Sequence, residues 1–204
     1  IDTCQGPAPD GDILTGCNSP PTGGVDCVVG AGVTQTATTV TGTTGNDTID
    51  CGGASPGKTI IGDAGNDTIT GTDLADTISG GSGNDTMTGV GGDDTMTGSL
   101  GNDTMTGSDG NDGLNGGDGD DTVTGSEGND TLSGVGGDDT LSGGIGDDVL
   151  DGGLGTDTIN GDAGDDTLTG APDDGSVDTL NGGLGIDTCQ GPAPDGDILT
   201  GCNT

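Results

Sequence analysis

The sequence contains no Phe, Tyr, Trp or His, no Arg and a single Lys, Lys58. Without aromatic rings the chain lacks the large side chains that dominate an ordinary globular core. The absence of His removes the usual general base and the commonest zinc ligand. Lys58 has no evident partner set, and Asp residues without an apolar cleft give no acid/base pair with separated pKa values, so catalysis is not expected. A formal net charge of −35 argues against nucleic acid or an anionic membrane as partner. No apolar run approaches the ~20 residues of a membrane-spanning helix, so membrane insertion is not expected either. No signal-peptide pattern is present.

What the chain has instead is a period. From Gly62 to Thr169 twelve nonapeptides follow one another without insertion or deletion, each close to Gly-x-x-Gly-(Asn/Asp)-Asp-Thr-(Ile/Leu/Met/Val)-(Thr/Ser), as in GDAGNDTIT at 62–70. A short fixed period marks one structural unit stacked on copies of itself. Positions one to six are rich in Gly, Asn and Asp and predict a tight turn. Positions seven to nine alternate polar, apolar, polar and predict a three-residue strand with one side chain facing inward. Two such units close a flattened coil of eighteen residues, and the fold class is all-β, a parallel β-roll. The acidity alone would also suit a disordered chain, but a solvating tail has no reason to place Asp at every ninth residue.

The inward column is Ile69, Ile78, Met87, Met96, Met105, Leu114, Val123, Leu132, Leu141, Leu150, Ile159 and Leu168. One apolar side chain per nine residues is too little burial to offset the entropy of ordering nine backbones. Position six supplies the other stabilising candidate. It is Asp in all twelve units: Asp67, Asp76, Asp85, Asp94, Asp103, Asp112, Asp121, Asp130, Asp139, Asp148, Asp157 and Asp166. The same position recurs outside the unbroken run as Asp47, Asp178 and Asp187. Stacked at strand spacing, these carboxylates repel unless a cation lies between them. Carboxylates and turn carbonyls are hard oxygen donors, which select Ca²⁺ over Zn²⁺ or copper, and Mg²⁺ demands a stricter octahedron.

The motif resembles the RTX, or haemolysin-type, calcium-binding repeats, G-G-x-G-x-D-x-U-x. That resemblance implies a right-handed parallel β-roll holding several Ca²⁺ ions between successive turns on both edges, with the position-six Asp as side-chain ligand. One repeat departs from it: GTDLADTIS at 71–79 has Leu74 where the fourth-position Gly belongs. RTX rolls also accompany secreted proteases and lipases, but here the resemblance covers only the roll.

The ends are organised differently. Residues 1–18, IDTCQGPAPDGDILTGCN, recur at 186–203, 185 positions later. We expect a segment of a longer tandem array, ending shortly into the next copy; the alternative is one domain with duplicate caps. The expected organisation is a disulfide-bounded junction segment at 1–18, an irregular segment at 19–41 with one strand over Val33–Val40, the roll at 42–190, and the start of the next junction segment at 191–204. Cys4 with Cys17 and Cys189 with Cys202 share one spacing, which pairs them and leaves Cys27 with Cys51. The absence of His and of C-x-x-C spacing excludes a zinc site, and disulfides place the chain outside a reducing cytosol.

Alternate repeats set Thr68/Thr70, Thr86/Thr88, Thr104/Thr106 and Thr122/Thr124 on one sheet, a Thr-x-Thr ladder like the surface of ice-binding solenoids. Thr is equally a good exposed strand former. The expected function is a secreted or cell-surface, calcium-binding structural segment of a fibre, stalk or adhesin that partners copies of itself end to end. The alternatives are an ice- or surface-binding module using the Thr ladder, and a calcium-triggered folding appendage of a secreted enzyme or toxin.

Overall fold

The computed structural model describes residues 27–170, 175–190 and 196–203. Among these residues there are strands and turns and no helix. Short strands open the chain: β1 (Val28–Val29), β2 (Thr34–Gln35), β3 (Thr39–Thr41) and β4 (Thr48–Asp50). They are followed by β5 (Thr59–Ala64), β6 (Thr68–Thr70), β7 (Thr77–Ser82), β8 (Thr86–Gly91), β9 (Thr95–Leu100), β10 (Thr104–Asp109), β11 (Gly113–Asp118) and β12 (Thr122–Glu127). The remainder are β13 (Thr131–Gly136), β14 (Thr140–Ile145), β15 (Val149–Leu154), β16 (Thr158–Ala163), β17 (Thr167–Thr169), β18 (Thr179–Asn181), β19 (Thr188–Gln190) and β20 (Ile198–Thr200).

From β3 on, successive strands alternate between two sheets of ten, β1-β4-β6-β8-β10-β12-β14-β16-β18-β20 and β2-β3-β5-β7-β9-β11-β13-β15-β17-β19. Pairing from β3 and β4 onward is parallel, with like positions of the repeat in register, as in Met105 opposite Met87 and Val123. This is the expected parallel β-solenoid of about eight coils, at one strand spacing per coil. The position-eight column from Ile69 to Leu168 is 0 to 2% exposed, and Val40, Ile49, Ile60 and Leu180 lengthen it at both ends.

The strands are longer than predicted. Interior strands run six residues, because positions one to three of the next repeat continue the sheet rather than turning. Position two pairs across coils with a left-handed backbone, as at Ser108 (φ 92°) and Ser126 (φ 98°), so it kinks the strand without ending it. The turn proper is confined to positions four to six. There Gly101 has φ 123°, and a Cβ would lie 2.1 Å from the carbonyl oxygen of Gly83 one coil away.

The ends also depart from expectation. Residues 33–40 form no single strand: β2 and β3 make an antiparallel hairpin, Gln35 opposite Val40, and β1 lies antiparallel on β4. Val40 shares the polar–apolar–polar pattern of the repeats, so the sheet begins at Thr39, inside the segment expected to be irregular. In the segment expected to open the next junction, Ile198–Thr200 adds β20 to the roll, parallel to β18. Cys27–Cys51 and Cys189–Cys202 are bonded as expected; Cys4–Cys17 lies outside the described residues. The extended repeat at 170–181 keeps the roll going, since β18 pairs with β16 and Leu180 is fully buried.

Replacing Gly101 with Ala should lower thermal stability by at least the roughly 1–2 kcal/mol of a left-handed backbone. Replacing Gly136, whose Cβ would meet nothing within 4 Å, should be nearly silent. Thermal unfolding in calcium compares the two, and equal midpoints would contradict this turn geometry.

Candidate metal centre

The position-six residues form two columns, one on each edge of the roll. Asp47, Asp67, Asp85, Asp103, Asp121, Asp139, Asp157 and Asp178 make the first, and Asp76, Asp94, Asp112, Asp130, Asp148, Asp166 and Asp187 the second. Every one of these side chains is buried. Within a column each Oδ1 after the first accepts the backbone N–H of the position-six residue one coil earlier, as Asp85 accepts from Asp67 at 2.8 Å and Asp121 from Asp103 at 2.7 Å.

Position five runs the opposite way. Asn66 Oδ1 accepts from the N–H of Asn84 one coil later, Asn84 from Asn102, and Asn102 from Asp120. In most turns the two N–H groups that the strand ladders cannot reach are thereby satisfied by side chains of adjacent coils, as buried backbone requires. The sequence signal for this ladder was Asn or Asp at position five in every one of the twelve repeats but two, those with Ala75 and Thr156, which turn propensity alone does not distinguish from an ordinary loop.

The other carboxylate oxygen is different. Oδ2 of Asp67, Asp85, Asp94, Asp103, Asp112, Asp121, Asp130, Asp139, Asp148, Asp166 and Asp187 is buried with no hydrogen-bond donor. It faces the first-position Gly of its own repeat and that Gly's counterpart one coil on. A Cβ built on Gly98 would lie 2.1 Å from Asp103 Oδ2 and 2.5 Å from the Gly116 carbonyl oxygen. Only Gly leaves this space open, and a carboxylate oxygen and a main-chain carbonyl of the next coil converge on it. Asp197, which the motif reading did not include, has the same orphaned Oδ2 and accepts from the N–H of Asp178. Asp197-Ile198-Leu199-Thr200 keeps the second half of the motif, but no Gly-x-x-Gly precedes it.

Burial is the main electrostatic effect. It raises the carboxyls of Asp94, Asp139 and Asp148 to about 7 and those of Asp103 and Asp112 to about 6; the backbone N–H bonds counteract it, and neighbouring acids add to it. Among the described residues no three acidic, Cys or His side chains converge on one point. Each site instead offers a carboxylate oxygen and main-chain carbonyls. That hard all-oxygen donor set fits Ca²⁺, which takes backbone carbonyls readily.

Asp47 and Asp76 are exceptions. Asp47 Oδ2 accepts from Thr43 N–H at 2.6 Å, and Asp76 Oδ2 from Thr72 N–H at 2.5 Å. Asp76 Oδ1 accepts from the N–H of Lys58 and lies 3.2 Å from Thr72 Oγ1. The ammonium of Lys58, buried at the sixth-position equivalent of its own repeat, donates to the Ala37 carbonyl in the β2–β3 hairpin and ties that hairpin to the roll. The Thr ladder is formed as expected: Thr68, Thr86, Thr104 and Thr122 are exposed and in register, with Thr70, Thr88, Thr106 and Thr124 half-buried beside them.

Replacing Asp103 with Ala should raise the calcium midpoint of folding several-fold, and replacing Asp76 should raise it less, because protein donors already satisfy both Asp76 oxygens. Calcium titrations followed by circular dichroism measure both, and equal shifts would count against this ranking.

A search of curated proteins finds no match to the chain. The family model of the RTX calcium-binding nonapeptide repeat matches residues 34–53 and, in overlapping segments that include 61–96, 88–123, 124–159 and 152–189, nearly all of the remaining roll. With a nine-residue motif, a parallel β-solenoid and an acidic column on each edge, the chain belongs to the RTX calcium-binding nonapeptide repeat family.

Proposed function

We propose that this roll binds several Ca²⁺ ions along its two edges and serves as a rigid structural segment of an extracellular fibre, stalk or adhesin. The observation that carries this is the run of buried Oδ2 atoms without donors along both columns, from Asp67 to Asp139 on one edge and from Asp94 to Asp187 on the other. When bound, Ca²⁺ supplies the charge compensation that no side chain provides, since the only cationic side chain, Lys58, is committed to Ala37. Asp67, Asp85, Asp94, Asp103 and their equivalents hold it, together with first-position Gly carbonyls. The disulfides suit an oxidising compartment.

The two ends support assembly with further copies of the chain. The N-terminal end of the roll is covered by antiparallel β1 and β2, while β19 and β20 are the last strands of their sheets among the described residues, with Ile198 and Leu199 exposed. An edge of this kind invites strand pairing. A repeated end-to-end contact that does not close produces a filament. The reading is a filament of parallel rolls, each roughly 40 Å long at the strand rise, separated by junctions where strand direction reverses.

Electron microscopy of the native material in calcium should show thin fibres with an axial repeat of at least one roll. Excess EGTA at about pH 8, above the raised carboxyl values, should abolish the fibres together with the far-ultraviolet β signal. Compact dispersed particles in calcium would refute the filament, and a full β signal in EGTA would refute the calcium dependence.

A second reading rests on the Thr ladder, since position seven of the first sheet is Thr in every strand from β4 to β18, in parallel register and exposed from Thr48 to Thr158. Such a row suits a regular surface such as ice. Thermal hysteresis that Thr104→Lys abolishes while calcium-dependent folding persists is the expected result on this reading; a parent protein without hysteresis removes it.

A further inference from the structure

We propose that Thr43 and Thr72 are stoppers that close the first carboxylate of each column with protein donors, so that cation binding begins one coil further in, at Asp67 on one edge and Asp94 on the other. The inference rests on the calcium reading above and specifies which carboxylates take part in it.

Asp47 heads the first column and Asp76 the second. Their repeats are the ones among the described residues with Thr at position two. Elsewhere position two has a left-handed backbone, as at Asp63 (φ 83°), Val90 (φ 90°), Ser99 (φ 91°), Ser108 (φ 92°) and Val135 (φ 86°). Thr43 and Thr72 are not left-handed, and their N–H groups turn onto the carboxylate of their own repeat. The strands leading into them, β3 and β6, stop at Thr41 and Thr70 instead of continuing through position three.

Neither branching nor a hydroxyl alone makes the difference, because Val90 and Val135 are branched, Ser99, Ser108 and Ser126 carry a hydroxyl, and all five are left-handed; Thr43 and Thr72 combine the two. Thr43 Oγ1 accepts the N–H of Gly45 at 3.2 Å and lies 3.0 Å from Asp47 Oδ2. Thr72 Oγ1 accepts the N–H of Leu74 at 3.1 Å. This local side-chain-to-backbone bond sets a different turn, one in which position four no longer needs a left-handed residue. That accounts for Leu74, which stands in the one twelve-unit repeat without a fourth-position Gly and is not left-handed.

The rest of the cradle is intact at both places. A Cβ on Gly42 would meet the Gly62 carbonyl oxygen at 2.2 Å and Asp47 Oδ2 at 2.9 Å, and one on Gly71 would meet the Gly89 carbonyl oxygen at 2.4 Å and Asp76 Oδ2 at 2.6 Å. What changes is the occupant of Oδ2. An amide N–H presents its positive end where a cation would approach, and the two compete for the same oxygen. The stoppers lie at the end of the roll that also carries Cys27–Cys51 and the buried Lys58, so this end is closed by covalent and hydrogen bonds alone.

The test counts calcium ions per chain by native mass spectrometry. Thr43→Val, whose repeat retains Gly45, and Thr72→Val combined with Leu74→Gly should each bind one ion more than the unsubstituted protein. An unchanged count in folded variants, beside a calcium-loaded parent, overturns the inference and leaves the calcium reading standing. A parent that binds no calcium overturns that reading and this inference with it. A crystal structure of the unsubstituted protein grown in calcium answers without any variant. Ions beside Asp67 and Asp94 and none at Asp47 Oδ2 or Asp76 Oδ2 are expected, and an ion on either of the latter would sink the proposal.

Discussion

Like charges stacked at strand spacing and shut away from water are unfavourable on two counts, repulsion and lost hydration. This roll buries two such carboxylates in every coil. The rest of the architecture follows from accommodating them. Each gives one oxygen to the preceding coil, which fixes the register, and turns the other toward a first-position Gly and a neighbouring carbonyl. A cation there would convert the unfavourable term into an attraction joining the coils, and metal binding and folding would then be one process. A core of one aliphatic side chain per repeat then suffices, with no aromatic ring needed. Where the columns begin, the chain changes strategy to a disulfide, a buried ammonium and two threonine hydroxyls.

Much of this was legible in the sequence because the period is strict. The inward column, the alternation of repeats between two sheets, and the burial of every position-six Asp all follow from counting in nines. Strand length was not legible. Positions two and three hold Gly, Ser, Val, Asp and Leu without pattern, and their inclusion in the sheet depends on bonds to other coils. The β2–β3 hairpin was also hidden. Val33–Val40 alternates like one strand, and the bend at residues 37–38 shows only in the bond from Thr36 N–H back to the Thr39 carbonyl.

The site was legible in its residues and not in its differences. All fifteen predicted aspartates occupy equivalent positions in the sequence, yet the Oδ2 of Asp47 and of Asp76 accepts an N–H from position two of its own repeat while that of Asp67, Asp94 or Asp103 has no donor. Leu74 marked the Asp76 repeat as irregular, but the deciding residue is Thr72, two positions earlier. Nothing flagged Asp47, whose turn GTTGND reads as regular. A side-chain hydroxyl that captures a nearby N–H is a local event, and composition gives it no more weight than that of any other Thr.

The side-chain ladders of positions five and six run in opposite directions along the same axis as the strand-to-strand bonds. Each boundary between coils is therefore crossed by parallel fasteners on both faces and both edges. Tension spread over the end of the roll along its axis meets the fasteners of a boundary together rather than one after another. A load on this molecule is shared across its whole cross-section, as in a laminate pulled square to its layers.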